Sequence, residues 1–490
     1  MDIIGSENNK SMRSAKTAQK LTEMLRDIDI SSSVGANGEY SAIARLTALF
    51  DHGSFSRIGA YINRSSSPDE PVGVICGYGS IGGRLAYAFA EDNSRMGGAF
   101  DAATCGLIDT LYTMAARNGA PIIGIFDSNG LNVYEGVRAL AALGRTLRAS
   151  ASVAGIVPKI ALVPGVCGGC NAVMASSFDF LLSVKPSSSP NCDIYAVSKF
   201  VSGADDSASK SGIAAFEAED EARLYSAART LIEFLPQNNA EGCVVNDEVS
   251  DAELQRSPDL SGLCGESLIA ELADAKNYFR LWADYAPEVA LALATVGGVS
   301  CAVVASERSS KDGALTVEAC RAIAKLERFA DTFRIPFISF VDSPGFDTTV
   351  TDNAQYLDAA AALSDAVCFS SNPKISAVIG RAYGPSFIFL ASKSVGYDIS
   401  FATPDACISA LSPEASVAFV WNDKVRSMDL TSSREMLELE WREKLASPND
   451  AALCGEIDDI IPANELRPRI VSAVRMLLGK SKSEPSRRKR

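Results

Sequence analysis

Apolar and polar positions along the chain follow one pattern that is written twice. Residues 120–128, APIIGIFDS, form an apolar run closed by Asp-Ser, and residues 335–343, IPFISFVDS, do the same. Each run predicts a strand buried on both faces. Before each lies a stretch with apolar residues at helical spacing, DAATCGLIDTLYTMAARN from 101 and TVEACRAIAKLERFADTF from 316. Earlier still, a Gly-Gly turn leads into a strand, GGRLAYAFAED from 82 and GGVSCAVVASE from 297. After the buried run come a second helix, another apolar strand (KIALVPG; KISAVIG), a third helix and a short strand (DFLLSV; DISFATP). Strands alternating with helices of this length predict βαβ units on a mostly parallel sheet.

The two copies keep register at an offset of 215 residues, from Asp127 to Asp342. The same offset carries Gly82-Gly83 to Gly297-Gly298, Gly98 to Gly313, Pro158-Lys159-Ile160 to Pro373-Lys374-Ile375, Gly165 to Gly380 and Gly169 to Gly384. The alignment needs no gap from about residue 82 to about residue 180, which marks an internal duplication. A weaker match precedes it, LFDHGSFSRIGAYI at 49 against LADAKNYFRLWADYA at 272. Residues 185–260 are rich in Ser, Asp, Glu and Asn and read as closing helices of the first copy plus an acidic linker. The expected domains are therefore 1–262 and 263–490 of the 490 residues.

Composition narrows the class. With 47% apolar and 22% charged residues, the chain is an ordinary globular protein with large cores. It has no apolar run long enough for a membrane span. The first 20 residues lack the apolar core of a secretory signal, so a cytoplasmic location is expected. A net charge of −14 argues against nucleic acid, although the tail KSKSEPSRRKR is basic. The 12 cysteines lie mostly in apolar segments (Cys76, Cys105, Cys301, Cys320, Cys368) and read as reduced core thiols. Cys167 and Cys170 form a C-x-x-C with no second pair, and His52 is the only histidine, so no metal site is expected.

The usual catalytic parts are missing. His52 sits alone in a turn-like DHGSF, which excludes a Ser–His–Asp set. Asp127 and Asp342 end buried strands; paired catalytic carboxylates and local acceptors of turn amides explain them equally well. What remains is glycine at strand-to-helix junctions in both copies: Gly168-Gly169-Cys170-Asn171, and Gly384-Pro385-Ser386-Phe387. Gly97-Gly98-Ala99 and Lys311-Asp-Gly-Ala314 add an earlier pair, read as helix openings. Small residues there let a ligand approach free backbone N–H groups, which suits stabilisation of an oxyanion such as a thioester enolate. Helix–sheet packing is the bland alternative.

At these motifs the chain resembles the biotin-dependent carboxyltransferases that act on acyl-CoA, the β subunits of acyl-CoA carboxylases and the α subunits of acyl-CoA decarboxylases. The resemblance rests on MGGAF (96–100), FDSNGLNVYEGV (126–137), CGG (167–169), FLPQNN (234–239), FVDSPGF (340–346), and KISAVIGRAYG, ASKS and ATPDACISALSPEA between 374 and 415. It covers about residues 40–480. It implies two tandem crotonase-like domains, which is the repeat seen above. It implies that the amides of Gly169 and Cys170 bind the thioester oxygen, and that the segment after Gly384, Pro385 and Ser386, faces the ureido oxygen of carboxybiotin. Gly97, Gly98, Gly130, Gly168, Gly345 and Tyr383 would line the CoA and biotin sites. No side-chain acid or base is implied: the α-proton passes to biotin and the acyl enolate takes up CO2. The cleft lies between the N-domain of one subunit and the C-domain of another. The implied cofactors are an acyl-CoA thioester and biotin on a separate carrier protein. The implied partners are biotin carboxylase or membrane decarboxylase subunits, in a hexamer-like homo-oligomer.

Three departures stand out. Pro385 replaces a residue with an N–H, leaving the Ser386 amide and its hydroxyl as the candidate donors on the biotin side. Cys170 stands where glycine is usual. The segment AFDAATCGLID offers the CoA diphosphate no histidine or lysine, which leaves Arg95 or Arg138. A catalytically impaired paralogue that binds acyl-CoA or scaffolds a complex is the alternative function. A crotonase-type hydratase would need a positioned Glu135 or Asp127. Phe387 and Ile388 would border the acyl pocket.

Overall fold

Parallel strands buried on both faces carry both halves of the chain. The computed structural model describes residues 40–64, 70–186, 192–196, 208–349, 352–423 and 432–480. The N-terminal leader and the basic tail beyond Lys480 lie outside the described residues. Two compact units form, Met1–Asp205 with Glu217–Arg229, and Asp206–Phe216 with Thr230–Arg490.

In the first unit the elements run α1 (Ala42–Leu49), β1 (Ser56–Ile58), β2 (Val74–Ile81), β3 (Arg84–Glu91), α2 (Ala102–Asn118), β4 (Ile122–Ile125), α3 (Val137–Val153), β5 (Lys159–Val163), β6 (Val166–Gly168), α4 (Cys170–Ser176), β7 (Phe180–Val184), β8 (Asp193–Tyr195), β9 (Phe216–Ala218) and α5 (Glu221–Phe234). One sheet has the order β1-β2-β3-β4-β5-β7-β9, and β6 pairs with β8 apart from it. The strands β3, β4, β5 and β7 are parallel. The second unit runs β10 (Tyr278–Leu281), β11 (Val289–Val296), β12 (Val299–Ser306), α6 (Val317–Phe333), β13 (Phe337–Ser343), α7 (Asn353–Phe369), β14 (Lys374–Tyr383), α8 (Pro385–Leu390), β15 (Ile399–Ala402), β16 (Cys407–Ser409), α9 (Ser432–Leu445), β17 (Asp459–Ile460) and α10 (Ala463–Leu477). Its sheet has the order β10-β11-β12-β13-β14-β15-β17, with β16 on the end of β14. Each unit thus carries the βαβ plan expected from the repeat and the crotonase-like fold that the resemblance implies. Residues 230–262 pack on the second sheet: Asn246 N–H donates to Gly298 O at 2.7 Å, and Ser300 Oγ donates to Phe234 O at 2.7 Å.

Matched residues do matched work. The buried ammonium of Lys159 donates to Ser150 O and Ser177 O, at 3.2 and 3.3 Å, where α3 and α4 end. Lys374 donates to Val367 O and Val395 O, at 2.5 and 3.3 Å. Helix C-terminal carbonyls are the favourable place for a cation that water cannot reach. Asp179 Oδ2 accepts from Lys159 N–H at 2.7 Å and Asp398 Oδ2 from Lys374 N–H at 2.8 Å. The offset between those aspartates is 219 rather than 215. The second copy therefore inserts four residues between α8 and β15, around the helical turn Lys393–Val395, and the ungapped register ends there.

The weak upstream match is also structural. Asp51 accepts from Gly82 N–H and Gly83 N–H at 3.1 and 2.9 Å, and Asp274 accepts from Gly297 N–H and Gly298 N–H at 3.0 and 2.7 Å. Each carboxylate holds the hairpin turn of its own copy, and each has a guanidinium behind it, Arg229 and Arg467. His52 sits in the exposed turn before β1, as the sequence suggests. Cys76, Cys105, Cys301 and Cys320 are buried thiols, but Cys368 lies on the exposed side of α7 and is not a core residue.

Arg467 is fully buried, donating to Leu272 O at 2.9 Å and pairing with Asp274 at 2.5 Å and Glu253 at 2.8 Å. Removing Asp274 takes one of two carboxylates from that buried guanidinium and leaves two glycine amides without their acceptor. Asp274→Ala should lower the unfolding free energy by about 3 kcal/mol in urea titration, with a smaller loss for Asp51→Ala, whose partner Arg229 is partly exposed. Equal small losses would contradict this account.

Candidate active site

Each central strand ends in an aspartate that reaches across to the neighbouring strand. Asp127 Oδ1 accepts from Val166 N–H at 3.2 Å, and Asp342 Oδ1 accepts from Arg381 N–H at 3.0 Å. The space these carboxylates occupy belongs to the residue just before. A Cβ on Gly165 would lie 2.3 Å from Asp127 Oδ1, and one on Gly380 would lie 2.5 Å from Asp342 Cγ. That is the reason for the paired glycines. Both carboxylates are paired with cations: Arg45 donates to Asp127 at 2.7 Å, and Arg381 Nε to Asp342 at 2.9 Å with Arg308 at 3.4 Å. Arg381 also grips Asp312, and these carboxylates, Asp312 first, raise its pKa further above the usual value. The Ser-x-Gly turns are closed by the serines instead: Gly130 N–H donates to Ser128 Oγ at 3.0 Å, and Gly345 N–H to Ser343 Oγ at 3.3 Å. The aspartates are structural clamps.

Downstream of each clamp the chain enters the glycine turn. Gly169 (φ 61°, ψ −133°) and Gly384 (φ 50°, ψ −115°) cap α4 and α8 in a conformation that side chains disfavour. A Cβ on Gly169 would meet nothing within 4 Å, so the turn is open there. Gly130 (φ 117°) and Gly345 (φ 104°) lie against the carbonyls of Gly168 and Tyr383, at 3.5 and 3.1 Å from a built Cβ. Gly168 packs on the ring of Tyr195. Tyr383 is buried with its hydroxyl 3.6 Å from Cys407 Sγ. Cys167 is buried and Cys170 exposed, so the two thiols of the C-x-x-C diverge.

The donors differ from the sequence expectation. Gly169 N–H donates to Tyr195 O at 2.8 Å, and Gly384 N–H to Ser409 O at 2.9 Å. Those acceptors come from β8 and β16, which the local sequence does not reveal. Among the described residues, the amides of Cys170 and Asn171 have no protein acceptor, nor do those of Ser386 and Phe387. The Ser386 hydroxyl is no substitute donor: it is buried and donates to Tyr383 O at 2.9 Å and to Ser343 O at 3.1 Å. Pro385 opens α8 with no N–H at all.

The earlier glycine pair does not open a helix. Gly97 and Gly98 form a separate turn, where a Cβ on Gly98 would lie 2.6 Å from Asp127 O; Gly313 approaches Asp342 O in the same way. The helices start later and are already capped. Asp101 accepts from Thr104 N–H at 2.7 Å, and Thr316 from Ala319 N–H at 3.0 Å. Glu135 accepts from Ala102 N–H at 2.9 Å, which makes it another cap. Arg95 pairs with Asp92 at 2.7 Å, whereas Arg138 is exposed. In the second unit a cavity of about 580 Å³ opens beside Tyr383, between Arg308, Arg381, Asp405 and Arg442. The sequence reading missed Glu91, which accepts from Asp127 N–H at 2.6 Å and from the Asn171 carboxamide at 3.0 Å. Asn171, beside the turn, was the available signal.

Comparisons with known proteins identify the family. The chain is 29% identical over 480 residues to the carboxyltransferase subunit of propionyl-CoA carboxylase of Haloferax mediterranei, covering 92% of this chain and 93% of that one. It is 29% identical over 483 residues to methylmalonyl-CoA decarboxylase subunit alpha of Propionigenium modestum, with the same coverage. A crystal structure of transcarboxylase 12S, a hexamer with methylmalonyl-coenzyme A and methylmalonic acid bound, superimposes with a TM-score of 0.85 at 27% identity, over 96% of this chain and 97% of that one. The carboxyl transferase domain description matches residues 33–490. With that match spanning both repeated turns, the chain belongs to the carboxyl transferase domain family.

Proposed function

We propose that this protein is an acyl-CoA carboxyltransferase, which moves a carboxyl group between carboxybiotin on a carrier protein and the α-carbon of an acyl-CoA, as part of a carboxylase or decarboxylase complex. The observation that carries this reading is the pair of matched turns with unengaged amides, one in each unit, in a chain whose relatives include subunits of both kinds of complex. In the first unit the amides of Cys170 and Asn171 suit a thioester oxygen, and the open space at Gly169 admits it. An enolate oxygen between two such donors is stabilised electrostatically, and removing one donor costs about 10²–10³ in rate. In the second unit the amides of Ser386 and Phe387 face the role assigned to the biotin ureido oxygen. Biotin, when bound, supplies the transferable carboxyl group. Gly97, Gly98, Gly130, Gly168 and Gly345 set the backbone around these turns. A cytoplasmic homo-oligomer working with a biotinylated carrier and either biotin carboxylase or membrane decarboxylase subunits completes the proposal.

Pro385 favours a second reading, an impaired paralogue that binds acyl-CoA or scaffolds a complex, because it deletes a donor that no side chain replaces. The two readings separate in an assay of the purified protein with free biotin and methylmalonyl-CoA or malonyl-CoA. The carboxyltransferase reading expects decarboxylation by the natural chain, with Pro385→Gly changing kcat less than about threefold. No turnover by the natural chain with any such substrate, and a gain of about 100-fold in Pro385→Gly, establishes the impaired reading.

The first turn can be probed through its exposed thiol. Since the Cys170 amide and not its sulfur is the donor, Cys170→Ala should keep KM for acyl-CoA within about twofold, while the bulk of Cys170→Trp should raise it at least tenfold. Acyl-CoA should also protect Cys170 from N-ethylmaleimide. Labelling at an unchanged rate under saturating acyl-CoA would place the thioester elsewhere.

A further inference from the structure

Glu91 and Asn171 pose a problem of proton counting. Both are fully buried. Asn171 Nδ2 donates to Glu91 Oε2 at 3.0 Å, and Asp127 N–H donates to the same oxygen at 2.6 Å. The other oxygen of each group, Glu91 Oε1 and Asn171 Oδ1, is buried without a hydrogen-bond partner among the described residues. Two orphaned acceptors on two already joined groups are each costly to leave unmade. A single proton on Glu91 Oε1 satisfies both, because it donates to Asn171 Oδ1 and closes a two-bond ring.

The electrostatic surroundings favour that proton. Burial pushes the Glu91 carboxyl well above the usual range, against the hydrogen bonds from Asp127 N–H and Asn171. The charged and titratable groups around it are the Asp127 carboxylate, which repels a second anion, the Arg45 guanidinium, and the neutral Cys167 thiol and Tyr112 phenol. Arg45 is already shared between Asp127 at 2.7 Å and Glu221 at 3.2 Å, so it leaves Glu91 without a dedicated counter-ion.

The internal repeat supplies an independent argument. At the offset of 215, Glu91 and Asn171 correspond to Ser306 and Ser386. Ser306 Oγ accepts from Asp342 N–H at 3.2 Å, as Glu91 accepts from Asp127 N–H. Ser386 Oγ turns back on Tyr383 O and Ser343 O. The acid and the amide therefore occur together in the copy that carries Gly169-Cys170 and are both absent from the copy that carries Gly384-Pro385. Asn171 is the second residue of α4, and its backbone N–H is one of the unengaged donors of the turn.

We infer that Glu91 is a neutral carboxylic acid paired with the Asn171 carboxamide through two hydrogen bonds, and that this pair is the positioning device that fixes the Cys170 and Asn171 amides. The positioning role rests on the thioester reading of that turn; the pairing itself does not. Infrared difference spectroscopy of the full-length protein against Glu91→Gln at neutral pH should show a carboxylic-acid carbonyl band in the natural chain that the variant lacks. Asn171→Leu should shift that band, since its carbonyl loses an N–H. A natural chain with no such band overturns the pairing, whatever the protein does with acyl-CoA. Because a folded-state pKa above the unfolded value gives stability that fades as pH rises, the natural chain should also lose stability relative to Glu91→Gln as pH rises above the ordinary glutamate pKa of about 4.3.

For the positioning role, Glu91→Gln keeps a donor and an acceptor and should hold kcat within about twofold. Glu91→Leu and Asn171→Leu should cut kcat about 100-fold, with unchanged circular dichroism and less change in KM. Folded leucine variants with the natural kcat overturn the positioning role. Failure of the natural chain to bind acyl-CoA would instead strike the thioester reading, and the infrared result would stand without it.

Discussion

A carboxylate at the end of the central strand decides the path of everything after it. Asp127 and Asp342 each take an amide just past the small residue, Val166 at the start of β6 and Arg381 within β14, and so hold the chain three residues before each glycine turn. The clamp works only if the preceding residue has no side chain, since the carboxylate fills that volume at Gly165 and Gly380. Buried anions need compensation, and both find a guanidinium. The turns inherit their position from this arrangement, which is why the most regular part of the repeat is the strand pair and its flanking glycines and not the turn residues.

On this common frame the two copies have diverged where chemistry would differ. The cation of the first clamp is Arg45, delivered by a helix outside the repeat and shared with Glu221, whereas the second clamp takes Arg381 from the neighbouring strand β14. The residue behind the strand-end amide is an acid in one copy and a serine in the other. The first turn opens its helix with Cys170, which keeps its N–H, and the second with Pro385, which has none. A proline at the first helical position is sterically welcome, so the second helix forms without strain while, of the two positions that match Cys170 and Asn171, only Ser386 keeps an N–H. Divergence at conformationally neutral positions leaves the fold intact and changes only which groups a ligand can meet.

Much of this was legible in the sequence because glycine, proline and strand-end aspartate carry positional meaning. The offset of 215 located both hairpin turns, both clamps and both glycine turns, and even the faint match between Asp51 and Asp274 proved to be one turn-holding carboxylate in two copies. What stayed hidden has one physical cause, partners distant in sequence. The Gly169 and Gly384 amides are occupied by carbonyls of Tyr195 and Ser409. Gly98 looked like a helix opening but owes its identity to the carbonyl of Asp127, while the helix itself starts at a capped Asp101. Glu91 sits at the end of a strand whose local pattern says only that it is buried.

The bare glycine turn thus has a physical reason that joins structure to function. At φ near 60° and ψ near −130°, Gly169 reverses the chain into α4, and the amides just after it are left without a carbonyl partner among the described residues. Any side chain there would disfavour the conformation, and any longer detour would bring in more backbone needing partners of its own. The residue that supplies the donors can vary freely so long as it keeps an N–H, which Cys170 does and Pro385 does not. Chemistry done by main-chain donors leaves almost no trace in side-chain identity, and it becomes visible instead in the conformations the backbone is made to adopt and in the buried groups, such as Asn171, that brace them.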